Sequence, residues 1–208
     1  MLTKLYLIRH GETVGAETKR YKGHIDVPLS DNGIMQVRAL SHYIAQNGGK
    51  ELKVIYTSDL SRAAKSAEII AEPLGLQPVI VEGLKERNFG KWEGMSFDEI
   101  ADTYPDEFKA WAENPLEFSP MEGESTVEVR DRALEVFTQL VNKHSGEDIA
   151  VVAHGGINRV IICEMLRVPL ENIFRIEQDF AALNIIEFWE MYPVVKLINY
   201  VHSIIKNR

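Results

Sequence analysis

Leu5-Tyr6-Leu7-Ile8-Arg9-His10-Gly11-Glu12-Thr13 stands close to the N-terminus and combines an apolar run with a charged end. Four consecutive apolar residues are typical of a strand that is buried on both faces of a sheet. Such a strand delivers Arg9 and His10 to its C-terminal end, where ligands bind in open α/β sheets. Gly11 then lets the backbone turn sharply or approach a ligand closely. A guanidinium beside an imidazole suits an anionic substrate together with a nucleophile or base.

Strand-like and helix-like segments alternate along the rest of the chain. Apolar runs predict strands at 52–57, 79–81, 148–153, 183–189 and 194–200. Apolar residues at helical spacing predict helices that begin at Asp31, after a cap at Ser58 or Asp59, near Ser125 and after His154. This order predicts an α/β fold, a three-layer α/β/α sandwich around a mostly parallel sheet.

Residues 84–124 differ from the rest in composition, with three glycines, three prolines and two of the three tryptophans of the chain. Short helical patterns occur near 96–104 and 106–113. We interpret the segment as a lid insertion within a single domain that spans residues 1–208, because long structured loops in such folds commonly carry function. Phe89 and Trp92 fit packing of this segment and contact with a substrate equally well.

Composition and charge narrow the class of protein. The 208 residues contain 23 Lys and Arg against 31 Asp and Glu, a net charge of −8, which disfavours a nucleic-acid surface. Cys163 is the single cysteine, so no disulfide forms within the chain and a reducing compartment is expected. No stretch approaches the about 20 apolar residues of a membrane span, and residues 1–4 lead into the first strand without a signal peptide. We expect a cytoplasmic protein with no nucleic-acid or membrane partner, and a homodimer stays open.

Four short polar stretches follow predicted strands. They contain Arg9 with His10, Arg62, Glu86, and His154 with Gly155 and Gly156. Because the C-terminal ends of parallel strands share one edge of a sheet, these side chains are expected to converge. The two arginines can fork onto phosphate oxygens, and the glycine turn exposes N–H groups at a helix start, which suits an anion. One histidine remains for nucleophilic attack and one carboxylic acid for protonation of a leaving oxygen.

These residues also have structural explanations. Glu86 could pair with Lys85 or Arg87 on the surface, and His154 could be a hydrogen-bonded core residue. A cation near a helix N-terminus, as expected for Arg62, is electrostatically unfavourable, which favours a functional reason for it. The Gly-Gly pair after His154 favours a ligand site in the same way.

The motif at residues 7–13 resembles the Arg-His-Gly motif of the histidine phosphatase superfamily, the phosphoglycerate mutase-like clan. The similarity continues, in the family's order, through 23–30, 58–63, 89–94, 123–125 and 153–156. It implies a phosphoglycerate mutase-like fold and a phosphoric monoester hydrolase that uses no metal and no cofactor. In the implied mechanism, His10 becomes a phosphohistidine. Arg9, Arg62 and His154 hold the phosphoryl group, while Glu86 protonates the leaving oxygen and then activates water.

The resemblance also implies a set of substrate-binding residues. They are Arg9, Thr13, Lys22, Gly23, Arg62, Glu86, His154 and Gly155. Many relatives carry Trp-Asn where this sequence has Gly15 and Ala16. One phosphate contact is therefore missing at Ala16 or supplied by another group, for which Lys22 is a candidate. Mutases of the family keep an Arg-Arg pair in the lid, whereas Lys109 is the only Lys or Arg in residues 95–124, and this difference favours a phosphatase.

A finer resemblance links the chain to the α-ribazole phosphatase branch of cobalamin synthesis. It rests on residues 21–30, 154–160 and 178–186. The implied partner is a small nucleotide-like phosphomonoester, such as α-ribazole 5′-phosphate. A broad-specificity small-molecule phosphatase, a phosphoglycerate mutase and an inactive phosphate-binding module remain alternatives. The last is disfavoured because all five residues of the implied mechanism are present.

Overall fold

A computed structural model describes residues 1–190 and 192–202 of the chain. The strands are β1 (Leu2–Arg9), β2 (Leu52–Thr57), β3 (Val79–Ile80), β4 (Asp148–Ala153), β5 (Leu183–Trp189) and β6 (Tyr192–Tyr200). The helices are α1 (Asp31–Gln46), α2 (Ser61–Ala71), α3 (Phe97–Thr103), α4 (Pro105–Glu113), α5 (Thr126–Lys143) and α6 (Gly155–Leu166). Within the described ranges, no helix is long and apolar enough to cross a membrane.

The six strands form one sheet in the order β3-β2-β4-β1-β5-β6. The first four strands in this order pair in parallel. β5 pairs antiparallel with both β1 and β6. The predicted mostly parallel sheet is thereby confirmed, and an antiparallel edge extends it beyond β1.

β1 lies inside the sheet, and its apolar run is covered on both faces. Leu5 and Leu7 pack into the core that α5 and α6 form on one face. Tyr6 and Ile8 pack into the core that α1 and α2 form on the other face. Because successive side chains of a strand alternate between faces, this one run creates the three predicted layers.

The register between β1 and β4 sets the position of the candidate site. The strands are parallel and Arg9 pairs with Ala153. His10 and His154, the residues that follow these two strands, therefore emerge at the same level of the sheet. α6 begins at Gly155, directly after His154, so the start of this helix faces the same edge.

The predicted cap of α2 is wrong. The helix begins at Ser61 without a side-chain cap from the residue before it. Ser58 is instead engaged with His154, with 2.7 Å between Oγ and Nε2, and Asp59 forms an ion pair with a lysine of the loop after β3. The N–H of Ser61 donates to the carboxylate of Asp26 at 2.8 Å. A residue distant in sequence therefore replaces the local cap.

Residues 84–124 contain α3, α4 and their connecting loops. Trp111 packs against Trp92 and Phe97, with ring centroids 6.5 and 5.7 Å apart. The carboxylate of Glu93 accepts the N–H of His24 at 2.7 Å, which ties the segment to the loop after β1. The segment is thus a folded part of the molecule, and its interpretation as a lid, which concerns movement, stays a prediction.

Candidate active site

The C-terminal edge of the parallel strands brings the predicted side chains together. A pocket of about 270 Å³ lies there. Its wall contains seven predicted residues, Arg9, His10, Thr13, Lys22, Gly23, Arg62 and Glu86. His154 lies beside His10, with ring centroids 5.1 Å apart. The remaining predicted residue, Gly155, borders Arg9, because a Cβ on Gly155 would lie 3.4 Å from the Arg9 guanidinium carbon.

His10 is oriented by the backbone beside it. Its Nδ1 lies 2.7 Å from the carbonyl oxygen of Gly11. A carbonyl only accepts hydrogen bonds, so Nδ1 carries the proton and Nε2 keeps a lone pair. Burial, reinforced by the charges of Arg9 and Arg62, holds the pKa of His10 well below its ordinary value of 6.5. The free protein therefore presents a neutral imidazole, which is the state that a nucleophile requires.

His154 is fully buried and is held by Ser58. The contact of 2.7 Å joins Ser58 Oγ to His154 Nε2. The Ser58 hydroxyl is buried and has no other acceptor among the described residues, so it donates to Nε2 and the ring proton lies on Nδ1. Among the residues that the structure describes, that Nδ1 atom is buried without a partner, and so is Nε of Arg9. Buried donors without an acceptor are rare in proteins. Two of them at one site are suited to the oxygens of an anionic ligand.

Arg62 reaches the pocket from the first turn of α2. Its side chain is buried, and its terminal nitrogens donate to the carbonyl oxygens of Gly23 and Ile25 at 2.6 and 2.9 Å. Gly23 has a φ of +47°, and a Cβ there would overlap the Glu93 carboxylate. Gly23 therefore lines the pocket and also fixes Arg62 through its carbonyl group.

Arg9 is held by a loop that precedes β5. Its guanidinium donates to the carbonyl oxygen of Gln178, and the ring of Phe180 lies 4.0 Å from the guanidinium carbon, a cation–π distance. Burial lowers the pKa of Arg9 to about 10, against the opposing charge of Glu86, so the group stays charged at neutral pH. Gln178 and Phe180 were not predicted as site residues. Both belong to the stretch 178–186 that carried only the finer resemblance.

Glu86 is fixed at the start of α6. Its Oε2 accepts the N–H of Gly156 at 2.9 Å, and its Oε1 accepts the N–H of Arg87 at 2.9 Å. A Cβ on Gly156 would overlap the Glu86 carboxylate, so glycine is required for this approach. Gly156 therefore permits the close approach of the Glu86 carboxyl group as well as the turn into α6.

The surface ion pairs that offered a structural explanation for Glu86 do not form. Lys85 pairs with Asp59 at 2.8 Å. The Arg87 guanidinium donates to the carbonyl oxygens of Glu124 and Phe118 and to a threonine hydroxyl. The Glu86 carboxylate is consequently left facing the pocket.

Lys22 lies in the pocket wall with Thr13 and Ala16. Its Nζ donates to Thr13 Oγ1 and to the carbonyl oxygen of Val14, both at 2.7 Å. Burial and the charge of Arg62 lower the pKa of Lys22. Lys22 therefore places a cationic group in the same pocket wall as Ala16. That Lys22 supplies the phosphate contact missing at Ala16 stays a prediction.

A second, larger cavity adjoins this pocket. It has a volume of about 700 Å³ and shares Tyr21, Glu86 and Phe89 with the pocket. Its further walls include Trp92 and Trp111 of segment 84–124, together with residues of α5, α6 and the short helix Leu170–Arg175. Phe89 and Trp92 thus pack within the segment and also line a cavity wall. The sequence did not decide between packing and contact with a substrate for these two residues.

Among residues 1–190 and 192–202, no group of three or more His, Cys, Asp or Glu side chains is arranged to hold a metal ion.

Comparison with known proteins identifies the family. A model of the histidine phosphatase superfamily (branch 1) matches residues 5–201. Phosphoserine phosphatase 1 of Hydrogenobacter thermophilus is 30% identical over 198 residues, which cover 95% of this chain and 92% of the relative. The chain therefore belongs to the histidine phosphatase superfamily and is a phosphoric monoester hydrolase.

Solved structures confirm the predicted fold. Bacillus stearothermophilus YhfR superimposes with a TM-score of 0.87 at 31% identity, over 96% of this chain and 98% of that one. The α-ribazole phosphatase from Shigella flexneri gives a TM-score of 0.87 at 24% identity, over 97% and 98%. At that identity, the second likeness concerns the fold alone.

Proposed function

We propose that this hydrolase transfers a phosphoryl group to His10 and then to water, without a metal, and that its substrate carries an aromatic leaving group. The observation behind the proposal is the junction at Glu86, where a phosphate-sized pocket of about 270 Å³ meets a cavity of about 700 Å³. α-Ribazole 5′-phosphate, a nucleotide-like monoester with an aromatic base, is the substrate that we expect.

The first chemical step forms a bond between His10 and phosphorus. The lone pair on Nε2 attacks the phosphorus atom while the bond to the ester oxygen breaks. The protonated carboxyl of Glu86 gives its proton to the departing oxygen, so the leaving group departs as an alcohol. Arg9, Arg62 and the His154 Nδ1–H donate to the other phosphoryl oxygens, whose charge they stabilise in the transition state.

The second step returns the enzyme to its starting state. Glu86, now a carboxylate, accepts a proton from a water molecule as the water oxygen attacks phosphorus. The bond between phosphorus and His10 Nε2 breaks, and inorganic phosphate leaves. Proton and charge balance is complete, because Glu86 ends the cycle protonated and His10 ends it neutral.

The shape of the larger cavity supports an aromatic leaving group. Its side chains include Tyr21, Phe89, Trp92, Trp111 and Phe174. Aromatic faces bury flat rings well and add offset or edge contacts beyond the area that they cover. A leaving group with a flat ring would use this surface, whereas a serine side chain would leave most of it empty.

Phosphoserine is a second candidate substrate, and the relatives provide the reason. The Hydrogenobacter thermophilus relative named a phosphoserine phosphatase is 30% identical over nearly the whole chain. Serine phosphate needs partners for its ammonium and carboxylate groups. Glu171 and Arg159 in the cavity wall are charged groups of the required signs.

Phosphate release in the presence of EDTA tests these candidates. We would compare α-ribazole 5′-phosphate, phosphoserine, 3-phosphoglycerate and p-nitrophenyl phosphate at equal enzyme concentration. The proposal expects a kcat/KM for the ribazole ester at least about 100-fold above the others, which corresponds to about 2.7 kcal/mol of transition-state preference. A comparable advantage for phosphoserine would replace the ribazole assignment. Loss of all activity with EDTA would refute the metal-free mechanism.

We also propose that the reaction takes place in the cytoplasm. A single cysteine, Cys163, fits a reducing compartment. Fractionation of the source cells with an antibody against the protein tests this location, and recovery in a secreted fraction would contradict it.

A further inference from the structure

The cavity beside the phosphate pocket contains two arginines in different states. All three donor nitrogens of the Arg87 guanidinium are engaged by oxygens of the protein. Arg159 is bonded through Nε alone, which donates to the carbonyl oxygen of Ile176 at 2.7 Å. Within the described part of the chain, its terminal nitrogens make no hydrogen bond. Arg87 therefore has a structural role, whereas the terminal nitrogens of Arg159 are available to bind a ligand.

The ion pair between Arg159 and Glu177 is a weak one. Glu177 Oε1 lies 3.7 Å from its Nη2, and the Glu177 side chain is 71% exposed, whereas that of Arg159 is 19% exposed. An exposed carboxylate at this distance contributes little to holding a guanidinium. The anchored Nε nevertheless fixes the plane of the group, so the two terminal nitrogens are positioned before a ligand arrives.

The position of Arg159 relates it to both parts of the site. It lies one turn after Gly155 in α6, and helical side chains lean toward the N-terminus of their helix. A Cβ on Gly155 would lie 3.3 Å from Arg159 Nη1 and 3.4 Å from the Arg9 guanidinium carbon. The two guanidinium groups thus flank the same glycine. Arg9 lines the phosphate pocket, and Arg159 lines the larger cavity.

Two cations this close favour a bound anion between or beside them. Arg9 already serves the phosphoryl group in the proposed mechanism. Arg159 faces the space that the leaving group would occupy, in a wall that is otherwise rich in aromatic rings. A carboxylate suits a guanidinium with two free donors, because the two groups match in charge and in geometry.

We infer that Arg159 is a specificity-determining residue that binds a carboxylate, or another acceptor oxygen, on the leaving group next to the ester bond. The inference rests on the proposed function, because it requires the leaving group to enter the larger cavity. It predicts a preferred substrate with two acceptor groups, a phosphate for Arg9 and Arg62 and a second acceptor oxygen for Arg159.

A matched pair of synthetic esters tests this assignment. Phenyl phosphate and 3-carboxyphenyl phosphate release phenols of similar acidity, so their intrinsic reactivity is alike and the carboxylate is the main difference. We expect the wild-type enzyme to prefer the carboxylated ester. In Arg159→Met, the ratio of the two kcat/KM values should fall about 10-fold, the effect of losing a hydrogen bond to a charged group, mainly through a higher KM for the carboxylated ester.

Two further variants complete the experiment. Arg159→Lys keeps the charge without the fork and should retain part of the preference. Arg175→Met removes the same charge from an exposed position of the neighbouring short helix, and should leave the ratio as in the wild type.

The possible outcomes distinguish a failure of the Arg159 assignment from a failure of the proposed function. An unchanged ratio in Arg159→Met, or an equal loss on both esters, would overturn the specificity role and leave the proposed function standing. If the wild-type enzyme released no phosphate from either ester in EDTA, the proposed function would fail and the inference with it.

Discussion

The phosphate pocket and the larger cavity share Glu86, but different kinds of contact form their walls. In the pocket, main-chain carbonyl groups hold the charged side chains: Gly11 holds His10, Gly23 holds Arg62, and Gln178 holds Arg9. In the cavity, aromatic side chains from separate elements form the wall, and one of them, Phe174, is 82% exposed. Main-chain carbonyl groups are present whatever the side chain and are fixed by the path of the backbone, whereas exposed side chains can be exchanged at little cost to the fold. The contrast indicates a fixed reaction centre beside an adjustable specificity surface.

The largest expected effect is the loss of the nucleophile. His10→Ala should lower kcat/KM for p-nitrophenyl phosphate by about 10⁴-fold or more, as loss of a nucleophile does in other hydrolases that form covalent intermediates. Inorganic phosphate should still bind, because both arginines remain. Initial rates and phosphate titration measure the two properties. His42→Ala, on an exposed face of α1, is the control and should keep full activity. Retention of a tenth of the wild-type rate in His10→Ala would remove His10 from the mechanism.

Removal of the acid should come next in size and should depend on the leaving group. Glu86→Gln is expected to lower kcat/KM for an alkyl phosphate by about 10²- to 10⁴-fold. The loss for p-nitrophenyl phosphate should be much smaller, because p-nitrophenolate departs without a proton. Glu82→Gln, an exposed neighbour in sequence, provides the control. Equal losses for both esters would show that Glu86 does not protonate the leaving group.

A change in the cavity wall should affect specificity without touching the chemistry. Phe174→Ala should raise KM for an aromatic ester about 10-fold through lost ring contacts. Inhibition by inorganic phosphate, which needs the pocket alone, should stay as in the wild type. Trp189→Ala, a truncation of an exposed ring on β5, is the matched control. A rise in the inhibition constant for phosphate equal to the rise in KM would mean that the two regions are not separable.

The smallest effect concerns the stability cost of the pocket. Burial holds the pKa values of His10 and His154 well below 6.5, so the unfolded chain binds these protons at a pH where the folded protein does not. The free energy of unfolding should therefore fall as the pH decreases through 6.5. Between pH 7.5 and 5.5, each histidine can contribute up to about 1.4 kcal/mol to this fall.

Urea unfolding at the two pH values measures this difference. His154→Gln should reduce the fall by the contribution of one histidine. The comparison of differences cancels the other groups that titrate in this range. An unchanged fall in His154→Gln would contradict the buried, neutral state of His154.

The convergence of the candidate site residues could be predicted because they come at strand ends or a few residues after them. Arg9 and His10 continue β1, and His154 continues β4, so local sequence and the parallel pairing suffice to bring them to one edge. Glu86 and Arg62 come a few residues after the ends of β3 and β2. Their roles come from the resemblance, while their convergence follows from strand topology.

The supporting contacts escaped prediction because they join residues that are distant in the chain. Ser58 had the sequence features of a helix cap, and only the packing of β2 beside β4 brings it to His154. Gln178 and Phe180 reach Arg9 through the antiparallel pairing of β5 with β1. Neither contact has a periodic or local signal.

The amino-acid sequence alone was sufficient for the α/β/α layers, the family and the set of side chains that converge at one edge of the sheet, since these depend on hydrophobic periodicity and on residues near strand ends. The larger cavity could be recognised only in the folded molecule. The same holds for the terminal nitrogens of Arg159, which make no hydrogen bond within the described residues. The cavity lies between segment 84–124, α5, α6 and the short helix Leu170–Arg175. The space between elements depends on how they pack in three dimensions, and no single stretch of the chain encodes it.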